Sequence, residues 1–369
     1  MSGTDDPADL AIPDEPLPVS VLTGFLGSGK TTVLRRLLGH PAMDETAVVV
    51  NEFGEVGLDH LLVEKADEDT VLLNSGCLCC TVRGDLIDTL RRLFKRRVRR
   101  EVPAFQRLVI ETTGLADPAP ILHTLMTDPM LVTRFRLDGV IATVDAVTGE
   151  ATLDRHGEAV KQAAVADRLL VTKTDLAERA AVEALAARLA ALNPAAPVHE
   201  VVQGAIEPVR LFNAGLYDPT TKSLDVRRWL KAEAYQDAGH GDGHDHDINR
   251  HDDRIRAFVV TAERPLDWDR LNGWIEMLVA CYGADILRLK GILNVADMDR
   301  PLVVHGVQHL FHPPVPLERW PDGDRSSRLV FITRDLDRAT FERTLREFTE
   351  DGPSTAVRLA RHPSSRSRR

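Results

Sequence analysis

Residues 24–31 read Gly-Phe-Leu-Gly-Ser-Gly-Lys-Thr, and this octet constrains the chain more than any other stretch. The apolar run Val-Ser-Val-Leu-Thr (19–23) precedes it, and Lys-Thr-Thr-Val-Leu-Arg-Arg-Leu-Leu (30–38), with helical periodicity, follows. A buried strand, a glycine turn and a helix in direct succession open a βαβ unit and so a parallel sheet. The octet fits G-x-x-x-x-G-K-[ST] at every position, the pattern of a phosphate-binding loop. Gly24, Gly27 and Gly29 let backbone N–H groups wrap phosphates without a Cβ clash. The helix N-terminus at Ser28, Lys30, Thr31 and Thr32 adds the positive end of its dipole. Lys30 is placed to reach the β- and γ-phosphates, and the Thr31 hydroxyl to take a Mg²⁺ position. A chance glycine turn is the competing reading, and the strand–loop–helix context argues against it.

Apolar runs then recur: 46–51, 70–74, 107–111, 138–145, 168–173 and 197–201. Helical candidates lie between them, at 84–99, 118–127, 155–166 and 177–192. The alternation predicts an α/β P-loop fold, a mainly parallel sheet flanked by helices, over residues 18–225. A polar stretch rich in Gly, His and Asp (226–253) reads as a linker. Beyond it, strands at 254–263, 285–295, 300–307 and 328–334 and helices at 268–283 and 336–348 predict a smaller α+β domain over 254–350. Residues 1–17 and 351–369 read as a disordered acidic leader and a disordered basic tail.

The chain has 369 residues and a net charge of −10, which disfavours an electrostatic nucleic-acid binder. No apolar run reaches the length of a membrane span, and the leader lacks the basic start and apolar core of a signal peptide. The expectation is a cytoplasmic protein with reduced thiols.

Two further segments bear on the nucleotide. Strand 107–111 ends in Glu111-Thr112-Thr113-Gly114, an acid placed to serve Mg²⁺ and a glycine placed to sense a γ-phosphate. Strand 168–172 ends in Thr172-Lys173-Thr174-Asp175, close to N-K-x-D with Thr at the Asn position. There Asp175 would accept two hydrogen bonds from a guanine edge, a donor pair that adenine lacks, while the Lys173 stem packs on the base. The same carboxylate could instead cap the following helix. Asn51-Glu52-Phe53-Gly54-Glu55 combines acids and glycine as a mobile loop near phosphate would.

Three of the four cysteines fall in Cys77-Leu78-Cys79-Cys80. Neighbours this close cannot pair without strain. Three thiolates suit a soft divalent ion such as Zn²⁺ and leave one position for Glu55, a histidine or water. An incomplete set fits an ion that arrives and leaves. Cys281 lies on the apolar face of a helical pattern and reads as core.

In this order, GFLGSGKTT, NEFGEVGLD, GCLCC, ETTGLADP and TKTD resemble the CobW-type P-loop GTPases, which include zinc-regulated GTPase metallochaperones. The stretches RPLDWDRL, LRLKGILNV and RLVFITRDLD resemble the CobW C-terminal domain. The resemblance implies GTP hydrolysis with Mg²⁺, and Zn²⁺ or Co²⁺ or another transition metal at the cysteines. It also implies delivery to client metalloproteins; charge and the lack of an apolar span lead us to expect neither nucleic acid nor membrane as partner. Oligomeric state is left open. The alternatives are a metal reservoir or sensor with little turnover, an insertion factor for cobalt, iron or nickel, and an ATP-using P-loop enzyme with structural zinc. His240, His244, His246 and His251 either gather metal or belong to a solvated linker. The basic run from Arg91 to Arg100 is a solvated helix end or a partner surface.

Overall fold

The computed structural model describes residues 12–50, 71–74, 82–212, 254–311 and 314–349. The first sheet contains β1 (Leu17–Gly24), β2 (Thr46–Val50), β3 (Val71–Asn74), β4 (Arg107–Glu111), β5 (Phe135–Asp145), β6 (Arg168–Thr172) and β7 (Val198–Val201). Among the described residues these run parallel in the order β3-β2-β4-β1-β5-β6-β7. Helices α1 (Lys30–Leu38), α2 (Val82–Val98), α3 (Ala119–Thr127), α4 (Leu131–Arg134), α5 (Gly149–Arg155), α6 (Gly157–Val165) and α7 (Arg179–Leu192) cover both faces.

Two-sided cover explains why the strands are apolar throughout rather than alternating. Val19, Val21, Leu108 and Ile110 pack beneath Leu90, Leu93, Ile121 and Leu125 of α2 and α3. Leu22, Val109 and Ile141 face the other way, onto Val33, Leu34 and Leu37 of α1. The expected strands and helices are present, with three differences, the first being the four-residue α4, which no expected helix covers. β5 starts at Phe135, because Phe135 pairs with Leu17. The helix expected over 155–166 is α6 alone, and α5 precedes it. His156, in an extended conformation, separates the two.

The second sheet contains β8 (Ile255–Ala262), β9 (Ile286–Leu293), β10 (Leu302–Val307), β11 (Leu310–Phe311), β12 (Val315–Pro316) and β13 (Ser327–Arg334). It is antiparallel, ordered β11-β10-β9-β13-β8, with β12 beside β10. Helices α8 (Trp268–Tyr282) and α9 (Arg338–Thr349) cover one face around Trp274, Phe331 and Phe341. On the other face Val259, Leu287, Ile292 and Val330 cluster with Ala164 of α6. The expectation that Cys281 is core is wrong: Cys281 is exposed. The buried stripe of α8 runs Leu271, Trp274, Ile275, Leu278. In the last turn it passes through the partly buried Tyr282, one position beyond Cys281.

A buried ion cluster ties the two domains. Arg288 Nη2 and Lys290 Nζ of β9 both donate to Asp167 Oδ1, at 2.5 and 2.6 Å. Asp167 Oδ2 accepts from the Val140 N–H at 2.9 Å. Arg288 also donates to the Val165 carbonyl at the end of α6. Asn193 Nδ2 donates to the carbonyls of Ala163, Ala164 and Ala166 and so caps the same helix end. Burial alone would raise the Asp167 carboxyl, but the two cations and the Val140 N–H outweigh it and hold it well below the usual carboxylate range. Two cations share one carboxylate, and Lys290 gives way: burial pushes it down to about 8 despite the attraction of Asp167.

Removing the carboxylate leaves two buried cations facing each other. Asp167→Asn is expected to cost about 3–5 kcal/mol in urea unfolding, whereas Lys290→Met leaves the Arg288–Asp167 pair intact and costs far less. Lys290 titrates near 8 when folded and at its ordinary 10.5 when unfolded, so the unfolded chain holds the extra proton between those values. Wild-type stability should gain a rising contribution across that window, measured as a pH-dependent urea midpoint, and Lys290→Met should lack that contribution.

Candidate functional site

Four strand ends meet on the carboxyl edge of the first sheet: Gly24 of β1, Glu111 of β4, Asp145 of β5 and Thr172 of β6. The register pairs Leu22 with Glu111, Gly24 with Thr143, and Asp145 with Thr172. From β1 the chain moves outward to β2 and β3, and the later strands continue on the other side. The crevice at such a reversal is where open α/β sheets bind ligands.

Between β1 and α1 the backbone takes positive φ at Gly24 (141°), Gly27 (72°) and Gly29 (92°). These conformations admit glycine and strain other residues. A Cβ at Gly24 would stand 2.2 Å from Thr143 Oγ1, while one at Gly27 would meet nothing within 4 Å. The loop is therefore packed against β5 at its root and open at its crown. Phe25 stacks on His156, ring centroids 4.4 Å apart, so the break between α5 and α6 is what supports the loop.

Lys30 bends back over the loop, donating from Nζ to the carbonyls of Gly24 (2.8 Å) and Phe25 (3.1 Å). Thr31 Oγ1 donates to Glu111 Oε1 at 2.7 Å. Thr32 is exposed at the start of α1. The Ser28 side chain turns inward, its Oγ 2.7 Å from Thr143 Oγ1, leaving only its backbone to face a ligand. Gly114 lies against the loop: a Cβ there would be 2.6 Å from the Leu26 nitrogen. The Thr112 N–H donates to the Leu22 carbonyl at 2.9 Å, fixing the start of this turn to β1.

Thr172 is explained by its contacts. Its Oγ1 donates to the Ser28 carbonyl at 2.7 Å and to the Val144 carbonyl at 3.3 Å, stitching the end of β6 to the phosphate loop. Lys173, with φ 56°, donates from Nζ to Asp145 Oδ2 at 2.6 Å. Asp175 is exposed. The capping alternative fails, because α7 starts at Arg179 with Glu178 at its N-cap. Among the described residues no side-chain hydrogen bond or ion pair occupies the Asp175 carboxylate.

Sequence reasoning missed several side chains here. Asp145 ends a visible strand, but its pairing with Lys173 spans two strand ends. Gln162 of α6 donates from Nε2 to the carbonyls of Gly114 (3.3 Å) and Ala116 (3.0 Å), and a lone glutamine in a helix gives no signal. Cys77, Cys79, Cys80, Glu55, the segment 51–59 and His240, His244, His246 and His251 lie outside the described residues. Among the described residues no cluster of three or more His, Cys, Asp or Glu could hold a metal ion. No described helix is long and apolar enough to cross a membrane.

Family models match in two blocks, the CobW/HypB/UreG nucleotide-binding domain over residues 18–200 and the cobalamin synthesis protein CobW C-terminal domain over residues 255–349. The zinc chaperone YjiA of Escherichia coli is 36% identical over 319 residues, covering 86% of this chain and 94% of the relative. The chain belongs to the CobW family. Other CobW-family relatives include the zinc-regulated GTPase metalloprotein activator 1 of Schizosaccharomyces pombe, 34% identical over 356 residues (88% of this chain, 84% of the relative). A third, the zinc chaperone CobW of Pseudomonas aeruginosa, is 31% identical over 354 residues (89% and 91%). The crystal structure of Zn(II)-bound YjiA GTPase from Escherichia coli superposes with a TM-score of 0.66 at 32% identity, covering 91% of this chain and all of that one. The α/β sheet with an appended antiparallel domain is thus the CobW-family fold.

The Thr172 hydroxyl satisfies the buried Ser28 carbonyl at the heart of the site. Thr172→Val should cost about 1–3 kcal/mol in urea unfolding by leaving that acceptor unmet, and Thr172→Ser should recover most of the loss.

Proposed function

We propose that this CobW-family protein is a cytoplasmic GTPase that binds Zn²⁺, or another transition metal ion, at Cys77, Cys79 and Cys80. It delivers the ion to client metalloproteins in a cycle gated by the nucleotide. The domain limits of 18–225 and 254–350, with a His-rich linker at 226–253, belong to the same proposal. The observation that carries it is the convergence at one sheet edge of Lys30 on the phosphate loop, the 2.7 Å contact of Thr31 with Glu111, and Gly114 against Leu26. The names of the relatives, zinc chaperone and zinc-regulated GTPase metalloprotein activator, point the same way.

The residues fit the groups they are assigned. Gly24 and Gly114 let the loop backbone pack closely against β5 and the Gly114 turn, and its crown at Gly27 is left open for phosphates. Thr31 and Glu111 together offer hard oxygen donors, the kind Mg²⁺ takes. When bound there, Mg²⁺ would neutralise charge on the β- and γ-phosphate oxygens. Lys30 exchanges the carbonyls of Gly24 and Phe25 for phosphate oxygens. The loop amides from Gly24 to Thr32 hold the phosphates in place. Glu111 orients either the metal or the water that attacks the γ-phosphorus as the bond to the β–γ bridging oxygen breaks. Asp175 accepts from the guanine edge, while Lys173, braced by Asp145, packs its stem on the base. Among the described residues no arginine or glutamine is assigned to the γ-phosphate, and intrinsic turnover is expected to be slow.

The cargo ion is a substrate. Three thiolates hold it, and Glu55, a histidine or water completes the set. Strand register supports its coupling to the nucleotide. Val50 pairs with Asn74 on one side and with Glu111 on the other, so Asn74 stands in the row of Glu111 two strands away, roughly 10 Å. The cysteine segment leaves the sheet at Asn74 and returns at Val82, the start of α2. An ion held by that segment and a nucleotide at Glu111 would act on strand ends in one row, two strands apart.

Lys30→Ala should lower kcat/KM for GTP at least about 10²-fold in a phosphate-release assay. Activity that is absent in wild type, or unchanged by the substitution, would point to a metal reservoir. Asp175→Asn should remove the preference for GTP over ATP in competition binding. Reciprocity requires that GTP and Zn²⁺ change each other's affinity by one factor. Zn²⁺ competition titrations with a GTP analogue and with GDP should therefore differ, and equal affinities would refute nucleotide gating.

A further inference from the structure

The turn Gly114–Asp117 is held from its outer side by both domains. Gln162 Nε2 donates to the carbonyls of Gly114 and Ala116 at 3.3 and 3.0 Å. Asp117 Oδ2 accepts from Lys161 Nζ of α6 at 3.2 Å and from Gln308 Nε2 at 3.3 Å. Asp117 Oδ1 accepts from the Ala119 N–H at 3.0 Å and so sets the start of α3. Gln308 lies in the second domain, in the tight turn between β10 and β11, with φ 53°. Its neighbours there are anchored, since Val307 and Leu310 pack into the core of the first domain. Helix α6, which supplies Lys161 and Gln162, is itself fixed at its far end by Arg288 and Asp167.

We propose that Gln308 is a positioning residue for the nucleotide site: through Asp117 it holds the Gly114 turn against the phosphate loop, so the C-terminal domain sets how well the first domain responds to a γ-phosphate. This rests on the reading of Gly114 as the γ-phosphate-sensing glycine. The geometry leaves the turn little independent play. Inward motion of Gly114 meets the Leu26 backbone, and outward motion must break or drag the contacts at Asp117. A nucleotide that moves Gly114 therefore pulls on the β10–β11 turn. By reciprocity, a partner that shifts the second domain changes the affinity for GTP relative to GDP.

The test uses the full chain as wild type, Gln308→Leu and Gln308→Lys. The leucine removes the donor and the lysine keeps one aimed at Asp117. The readouts are GTP hydrolysis, the affinity ratio of a non-hydrolysable GTP analogue to GDP, and thermal melting. Gln308→Leu is expected to lower kcat about tenfold with KM within about twofold, and to lower the affinity ratio several-fold. Gln308→Lys is expected to restore both. A leucine variant with wild-type kcat and affinity ratio overturns the proposal. So does a variant whose melting temperature falls with activity and which lysine fails to rescue, since that is a structural role only. If wild type binds the analogue without hydrolysing GTP, the GTPase reading fails by itself and the affinity ratio decides the role of Gln308. If wild type binds no nucleotide, both fall together.

Discussion

A short length of backbone, bent through positive φ at three glycines, is the constraint around which the first domain is organised. Gly24 has no room for a side chain against β5, Gly114 has none against Leu26, and Gly29 starts α1 in a left-handed conformation. With the backbone pressed from two sides, the remaining side chains serve it. Thr143 and Thr172 bond to Ser28, Lys30 lies over the carbonyls of Gly24 and Phe25, and Phe25 rests on His156. The loop is thus held in shape by protein contacts, which is how preorganised donors avoid reordering when an anion binds.

Helix α6 connects this loop to the rest of the molecule. Its start supports Phe25 through His156, its middle holds the Gly114 turn through Gln162, and its end is clamped by Arg288, Lys290 and Asn193. A helix tied at both ends transmits displacement better than it absorbs it, because packed interfaces move between discrete arrangements. The second domain therefore supports the site from behind, through α6 and the Gly114–Asp117 turn. Its sheet is buried on both faces, by its own helices on one and by α6 on the other. This burial is why every residue of β9 is buried, Arg288 and Lys290 included, although its pairing is antiparallel.

Much of this was legible in the sequence where the signal is local. The octet 24–31 needs only its own glycines and flanking periodicity. The run Arg-Leu-Val-Ile-Glu becomes a strand because all of it beyond Arg107 is buried, and Glu111 ends at the phosphate loop because β4 pairs with β1. Legibility failed where two local rules compete. Asp175 looked equally like a base-reading group and a helix cap, and the helix starting at Arg179 removed the second option. Cys281 looked like core because its helix is amphipathic, but the buried stripe drifts by one position in the last turn. The seven-residue α5 was missed because a helix that short presents too little periodicity to distinguish from a loop.

By itself the sequence determined the order of strands and helices, the phosphate loop with Lys30 and Thr31, the acid at Glu111 and the three clustered thiols, since all of these depend on neighbours along the chain. Only the tertiary structure decided what Thr172 bonds to, that Ser28 turns inward, that Asp167 must satisfy two cations, and that Gln308 reaches the Gly114 turn. Those pairings join residues as much as 191 positions apart. No local pattern encodes them, because a side chain's partner across a fold is chosen by how helices and sheets stack, and stacking depends on the shape of every buried surface at once.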